Sequence, residues 1–73
     1  MSTRALPDDA FSEEFPRAMG RPANAALVAS GITTLAQASR LTRRELLAIH
    51  GVGPKAVHVL EMELEHHGLR LAE

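Results

Sequence analysis

His50-Gly51-Val52-Gly53-Pro54-Lys55-Ala56 is the stretch around which this chain is organised, because it separates two segments that both have the spacing of amphipathic helices. Glycine adopts positive φ readily and has no Cβ to hold another backbone at a distance. Gly51 and Gly53 therefore predict a tight hairpin with exposed N–H groups. Pro54 suits the first turn of a helix, where its missing N–H costs nothing. A hairpin that leads into a helix N-terminus, with Lys55 in the first turn, is suited to binding a phosphate.

The composition indicates one small helical domain. Its 73 residues are too few for two cores, and a domain of this size buries about 60% of its unfolded surface. Hydrophobic residues make up 45% of the chain but include two Phe and no Trp or Tyr, so we expect an aliphatic core. No cysteine is present to form a disulfide or a thiolate zinc site. The sequence has neither an apolar run long enough to cross a membrane nor the apolar centre of a signal peptide, so the expected location is the cytoplasm.

The formal net charge of −1 is unevenly distributed. Residues 21–56 contain five basic residues and one acidic residue, a net +4, whereas residues 1–20 carry −2 and residues 57–73 carry −3. The distribution of charge governs attraction to nucleic acid more than its sum does. The basic middle of the chain, which contains the hairpin, therefore remains compatible with a nucleic-acid partner.

Four helices are predicted, and no segment alternates as a strand would. We expect helices over residues 22–30, 35–39, 43–49 and 54–67, with residues 17–20 as a connection. Thr42 and Glu45 have the spacing of a capping box, and Thr33 or Thr34 can cap the second helix. Gly31 provides the stop expected just after the first helix. The predicted fold class is all-α, a compact bundle of four to five short helices.

The chain is expected to divide into an N-terminal arm, residues 1–15, and a helical domain, residues 16–73. The arm is predicted to be flexible or to dock on a partner. Phe11 and Phe15 would lie on one face of a helical turn, which Pro16 would end. The simplest interpretation is that they pack on the domain or on a partner subunit.

The sequence resembles a known family of DNA-binding domains. Residues 46–56, LLAIHGVGPKA, are similar to a helix-hairpin-helix motif. The longer segment 21–71 resembles the C-terminal domain of the bacterial RNA polymerase alpha subunit, a fold of the SAM-domain-like type. The quoted elements are Arg-Pro-Ala-Asn-Ala at 21–25, Gly-Ile at 31–32, residues 42–47, the hairpin, and Gly-Leu-Arg-Leu at 68–71. Two positions depart from the pattern, since Ala56 replaces a hydroxyl-bearing residue and His50 stands where many such hairpins have proline.

The resemblance implies a non-catalytic bacterial protein that binds the backbone and minor groove of duplex DNA, as a transcription accessory factor. It implies that the start of the first helix and the hairpin form one site. The expected nucleic-acid-binding residues are Arg21, Asn24, Ala25, Gly51, Gly53, Lys55 and Ala56. Arg21 would enter the minor groove, Asn24 would bond phosphate, sugar or a base edge, and the hairpin would hold a phosphate. With two or three phosphates contacted, binding would be weak, mostly non-specific, and have a salt slope of about −2 to −3.

A protein-interaction module is the alternative. It would keep this fold and dock on a partner, or on a second copy as a homodimer, through Phe11, Phe15 and the acidic last helix. An enzyme is not expected, because no nucleophile–base arrangement stands out and a domain this small has little room for a cleft. No cofactor or metal is expected either, since His58 with Met62 does not supply a metal site.

Overall fold

The computed structural model describes residues 11–72 as a compact helical domain. Its helices are α1 (Arg21–Ala29), α2 (Leu35–Ala38), α3 (Arg43–Leu47) and α4 (Pro54–His66), and a 3₁₀ helix, Arg17–Met19, precedes α1. The described residues contain no strand, and their one bridge pairs Thr42 with Ala72. The prediction of an all-α domain with four helices is therefore confirmed. No helix within residues 11–72 is both long and apolar enough to cross a membrane.

Local sequence signals set the helix boundaries. Thr34 and Thr42 each form a complete capping box, with Gln37 and Glu45 respectively. Each predicted helix ends one or two residues too late. In α3, the N–H of Ile49 donates to the carbonyl of Leu46, so the last turn tightens before the hairpin begins.

Within residues 11–72, the core is aliphatic apart from one aromatic ring. Its largest fully buried apolar side chains come from α1, α3 and α4: Leu27, Leu46, Val57, Leu60 and Leu64. The 3₁₀ helix packs against both α1 and α4, and α3 packs against α4. Met19 of the 3₁₀ helix is buried, so residues 17–20 are part of the packed domain as well as a connection.

The segment before the 3₁₀ helix also packs on the domain. Phe15 is 3% exposed and belongs to the core, whereas Phe11 is 41% exposed. Residues 11–15 form no helix, so the two rings do not share a helical face. The predicted arm thus includes at least one core residue, and its remaining part, residues 1–10, lies outside the described residues.

Candidate nucleic-acid interface

The hairpin between α3 and α4 is fixed by one glycine and one buried valine. Gly51 has φ +99°, in the region that side chains disfavour. The Val52 side chain is buried, and its N–H donates to the carbonyl of Ile49 at 3.0 Å. A Cβ built on Gly51 would lie 3.2 Å from the Ala26 Cβ and 3.7 Å from the Pro22 carbonyl oxygen. The hairpin therefore lies directly against the first turns of α1.

The N-terminus of α4 is left open by its own sequence. Gly53 is the N-cap residue, in extended conformation with φ −106° and ψ 177°, and no side chain in the described part of the chain caps the helix. The first N–H groups of a helix have no intrahelical acceptor. Because Pro54 has no N–H, the N–H groups of this first turn that lack an intrahelical acceptor are those of Lys55 and Ala56. A Cβ at Gly53 would meet nothing within 4 Å, so the surface beside these groups is open.

The N-terminus of α1 is similar. Gly20 is its N-cap residue, no side chain among residues 11–72 caps the helix, and Pro22 stands in its first turn. Neither α1 nor α4 has an acidic residue in its first turn. Arg21 and Lys55, one in each first turn, are both exposed. Each of these positive helix ends therefore has an exposed cation, and the hairpin that leads into α4 lies against α1 at Gly51.

The structure places the expected site residues in different environments. Arg21, Gly51 and Lys55 are exposed, whereas Gly53 and Ala25 are half-buried. Ala56 belongs to the core and is 7% exposed, so its methyl group packs inside the domain. The absence of a hydroxyl at this position is therefore matched by a packing role for the methyl group.

Asn24 differs most from the prediction. It is 2% exposed, and both ends of its carboxamide bond the backbone of Ser12. The N–H of Ser12 donates to Asn24 Oδ1 at 2.8 Å, and Asn24 Nδ2 donates to the Ser12 carbonyl at 2.9 Å. The predicted bond from Asn24 to DNA is not available in this conformation, because the same atoms hold the N-terminal segment. No sequence pattern pointed to Ser12, which lies twelve residues upstream.

Phe11 is a second residue that the prediction did not connect with this site. Its ring lies under the guanidinium of Arg21, with the Cζ atom 5.7 Å from the ring centroid. That distance is within the range of cation–π attraction. Phe11 and Arg21 also line one surface groove of about 360 Å³, together with Pro16, Arg17, Gly20 and Asn24.

Charged groups elsewhere are partly paired. Arg43 Nη2 lies 2.6 Å from Glu61 Oε1 on the surface. Near the end of α4, His67 Nε2 lies 3.2 Å from Glu63 Oε2. Within residues 11–72, no group of three or more His, Asp or Glu side chains is arranged to hold a metal ion.

Comparison with known proteins adds no assignment to this geometry. No model of a protein family matches the chain, and neither the curated proteins nor the solved structures give a match.

Proposed function

We propose that this chain is a small helix-hairpin-helix protein that binds duplex DNA through the hairpin and the start of α1. The observation that carries the proposal is the contact of Gly51 with Pro22 and Ala26. It places the hairpin, which leads into the N-terminus of α4, against the first turns of α1, and both helices have an exposed cation in the first turn. The sequence resemblance to the C-terminal domain of the RNA polymerase alpha subunit supports the same site.

The α4 end of this surface would bind one DNA phosphate. The N–H groups of Lys55 and Ala56 would donate to its oxygens, and the Lys55 ammonium would add a point charge. Gly53 keeps the surface low enough for the sugar-phosphate backbone to approach, because no Cβ stands there. None of these contacts reads a base, so this end supplies affinity and register rather than specificity.

The α1 end would contact the adjacent minor groove through Arg21. A narrow minor groove has enhanced negative potential, and a guanidinium inserted there favours A·T-rich sequence. With two or three phosphates neutralised, binding is weak at physiological salt, and log Kd changes with log salt by a slope of about 2 to 3. A role as an accessory factor in bacterial transcription fits weak binding, since a DNA-bound partner or dimerisation would raise the effective concentration.

Fluorescence anisotropy on a mixed-sequence duplex at low salt tests the proposal. We expect Arg21→Ala combined with Lys55→Glu to weaken binding about tenfold or more, because charge-assisted hydrogen bonds are lost. Lys55→Glu alone is compared with Arg70→Glu, a matched control that makes the same charge change on an exposed residue after α4. Absence of binding by the wild type, or an equal loss in the control, would contradict the proposal.

A protein-interaction module remains the second candidate, and exposed apolar side chains favour it. Phe11 and Met62 are exposed, and Met62 lies on the acidic helix α4. Phe15 is buried and does not take part in such a surface. A pull-down that loses its partner after Phe11→Ser, in a chain that does not bind DNA, would favour this candidate over the first.

A further inference from the structure

Residues 11–15, called the strap here, are fastened over the start of α1 by several hydrogen bonds. Two of them form the pair between the Ser12 backbone and the Asn24 carboxamide. The Ser12 hydroxyl donates to the Thr33 carbonyl and accepts from the N–H of Glu14. Glu14 Oε1 accepts from the N–H of Leu35 at 2.8 Å. The strap is therefore attached at α1, at the α1–α2 connection and at the start of α2.

The outer end of the strap carries Phe11, whose ring lies against the Arg21 guanidinium. We infer that Asn24 and Phe11 are positioning residues for Arg21: Asn24 fastens the strap, and the strap holds the aromatic ring that orients the guanidinium. The consequence of this arrangement is that Arg21 is preorganised to enter the minor groove, and this consequence rests on the proposed function. The strap itself is independent of that function.

Preorganisation matters here because Arg21 is on the surface. An arginine side chain has several rotatable bonds, and fixing it at an interface costs conformational entropy. A ring that already holds the guanidinium reduces the entropy lost on binding. An exposed cation–π contact has the energy of about a two- to fivefold change in an equilibrium constant. The strap should therefore tune the affinity without contacting DNA through Ser12 or Asn24.

The burial of Asn24 separates this role from a direct contact. An asparagine side chain that accepts from one backbone N–H and donates to the carbonyl of the same residue imitates a strand partner. To reach DNA, Asn24 would have to release both bonds and leave Ser12 unpaired in a buried position, which is costly. The structure thus favours Asn24 acting through the strap.

The first experiment needs no DNA. The ring current of Phe11 should displace the Arg21 Hδ resonances upfield in the NMR spectrum of the free protein. We expect Phe11→Leu to abolish that displacement and Asn24→Ala to reduce it, since the strap would lift. Should Asn24→Ala fail to fold, Ser12→Ala loosens the same strap by removing the hydroxyl contacts with Thr33 and Glu14. Unchanged Arg21 resonances in Phe11→Leu would overturn the inference.

The second experiment measures DNA affinity in a double-mutant cycle. Phe11→Leu should weaken binding about two- to fivefold in the wild-type background and have no effect in Arg21→Ala. Phe11→Trp, which keeps an aromatic face, should restore the affinity. The double variant Asn24→Ala with Phe11→Leu should bind DNA as tightly as whichever of the two single variants has the lower affinity. Additive losses would mean that Asn24 contacts DNA itself, and would overturn the inference. Failure of the wild type to bind any duplex would refute the proposed function, while the NMR result would still decide the strap.

Discussion

The four helices begin in two different ways. The N-termini of α2 and α3 are closed by reciprocal capping boxes, in which a threonine hydroxyl and a Gln or Glu side chain satisfy backbone N–H groups. The carboxylate of Glu14 also accepts from Leu35 at the start of α2. In contrast, α1 and α4 each have a glycine N-cap residue and a proline in the first turn, and no side chain of residues 11–72 caps them.

Helix length explains part of this difference. The helices α2 and α3 have four and five residues, so each has few internal hydrogen bonds and depends on its cap. The helices α1 and α4 have nine and thirteen residues and bury apolar faces, so they do not need a cap to form. Their open N-termini can therefore remain free for an external acceptor, which links helix capping to the proposed DNA site.

The largest expected effect tests the contact between the hairpin and α1. Gly51→Ala would put a side chain at φ +99° and a methyl group 3.2 Å from the Ala26 Cβ. Strain at positive φ alone costs about 1–2 kcal/mol, and the close contact adds to it. We expect the free energy of unfolding to fall by about 2 kcal/mol, which lowers the Tm by about 8–16 °C in a domain of this size.

Thermal unfolding followed by circular dichroism measures this loss. The matched control is Gly53→Ala, where φ is negative and a Cβ meets nothing within 4 Å. An equal Tm for the wild type and Gly51→Ala would show that the hairpin does not depend on its contact with α1.

The next effect in size concerns a closed end. Thr42→Ala removes the hydroxyl that accepts from the N–H of Glu45 at 3.0 Å. Loss of an N-cap of this kind costs about 1 kcal/mol. We expect the stability to decrease by this amount in urea unfolding, with no change in DNA affinity at a temperature where the variant is folded.

Thr34→Ala is the matched variant at α2. The Thr34 hydroxyl accepts from the N–H of Gln37 at 3.1 Å. A loss of DNA affinity in either variant, without unfolding, would contradict the assignment of DNA binding to the open helix ends alone.

Sequence reasoning found the features that are encoded within a few residues. The capping box at Thr42, a threonine cap at residue 33 or 34, and the proline at the start of α4 are local signals, so the helices and their N-termini were predictable. The capping box that Thr34 forms with Gln37 was not predicted. The predicted positions of the helix C-termini were less accurate because the last turns tighten gradually, as at Ile49.

The tertiary contacts of the site were harder to predict from the sequence. Asn24 has the residue type of a DNA contact, but its partner Ser12 is distant in sequence and bonds it through backbone atoms, which leave no pattern. Phe11 and Phe15 have the same side chain, yet only one reaches the core. The prediction that they share a face assumed a helical turn over residues 11–15, and no helix forms in that segment.

The smallest expected change in stability comes from closing an open end. Gly53→Ser keeps the extended N-cap conformation and supplies a hydroxyl that can accept from the N–H of Lys55 or Ala56. Serine is a slightly better N-cap residue than glycine, so we expect the free energy of unfolding to rise by a few tenths of a kcal/mol, about 0.3. If DNA phosphate uses the same N–H groups, affinity should fall about fivefold, because one hydrogen bond of about 1 kcal/mol is replaced.

Opposite changes in stability and affinity distinguish this explanation from simple misfolding. Gly53→Ala separates the remaining causes, since it adds the Cβ without an acceptor. If the approach of the DNA backbone limits binding, the alanine and serine variants should lose similar affinity. A larger loss with serine means that the N–H groups themselves bind the phosphate. Unchanged affinity in both variants would remove the N–H groups at the start of α4 from the interface and leave the side chains of Arg21 and Lys55 as the remaining contacts.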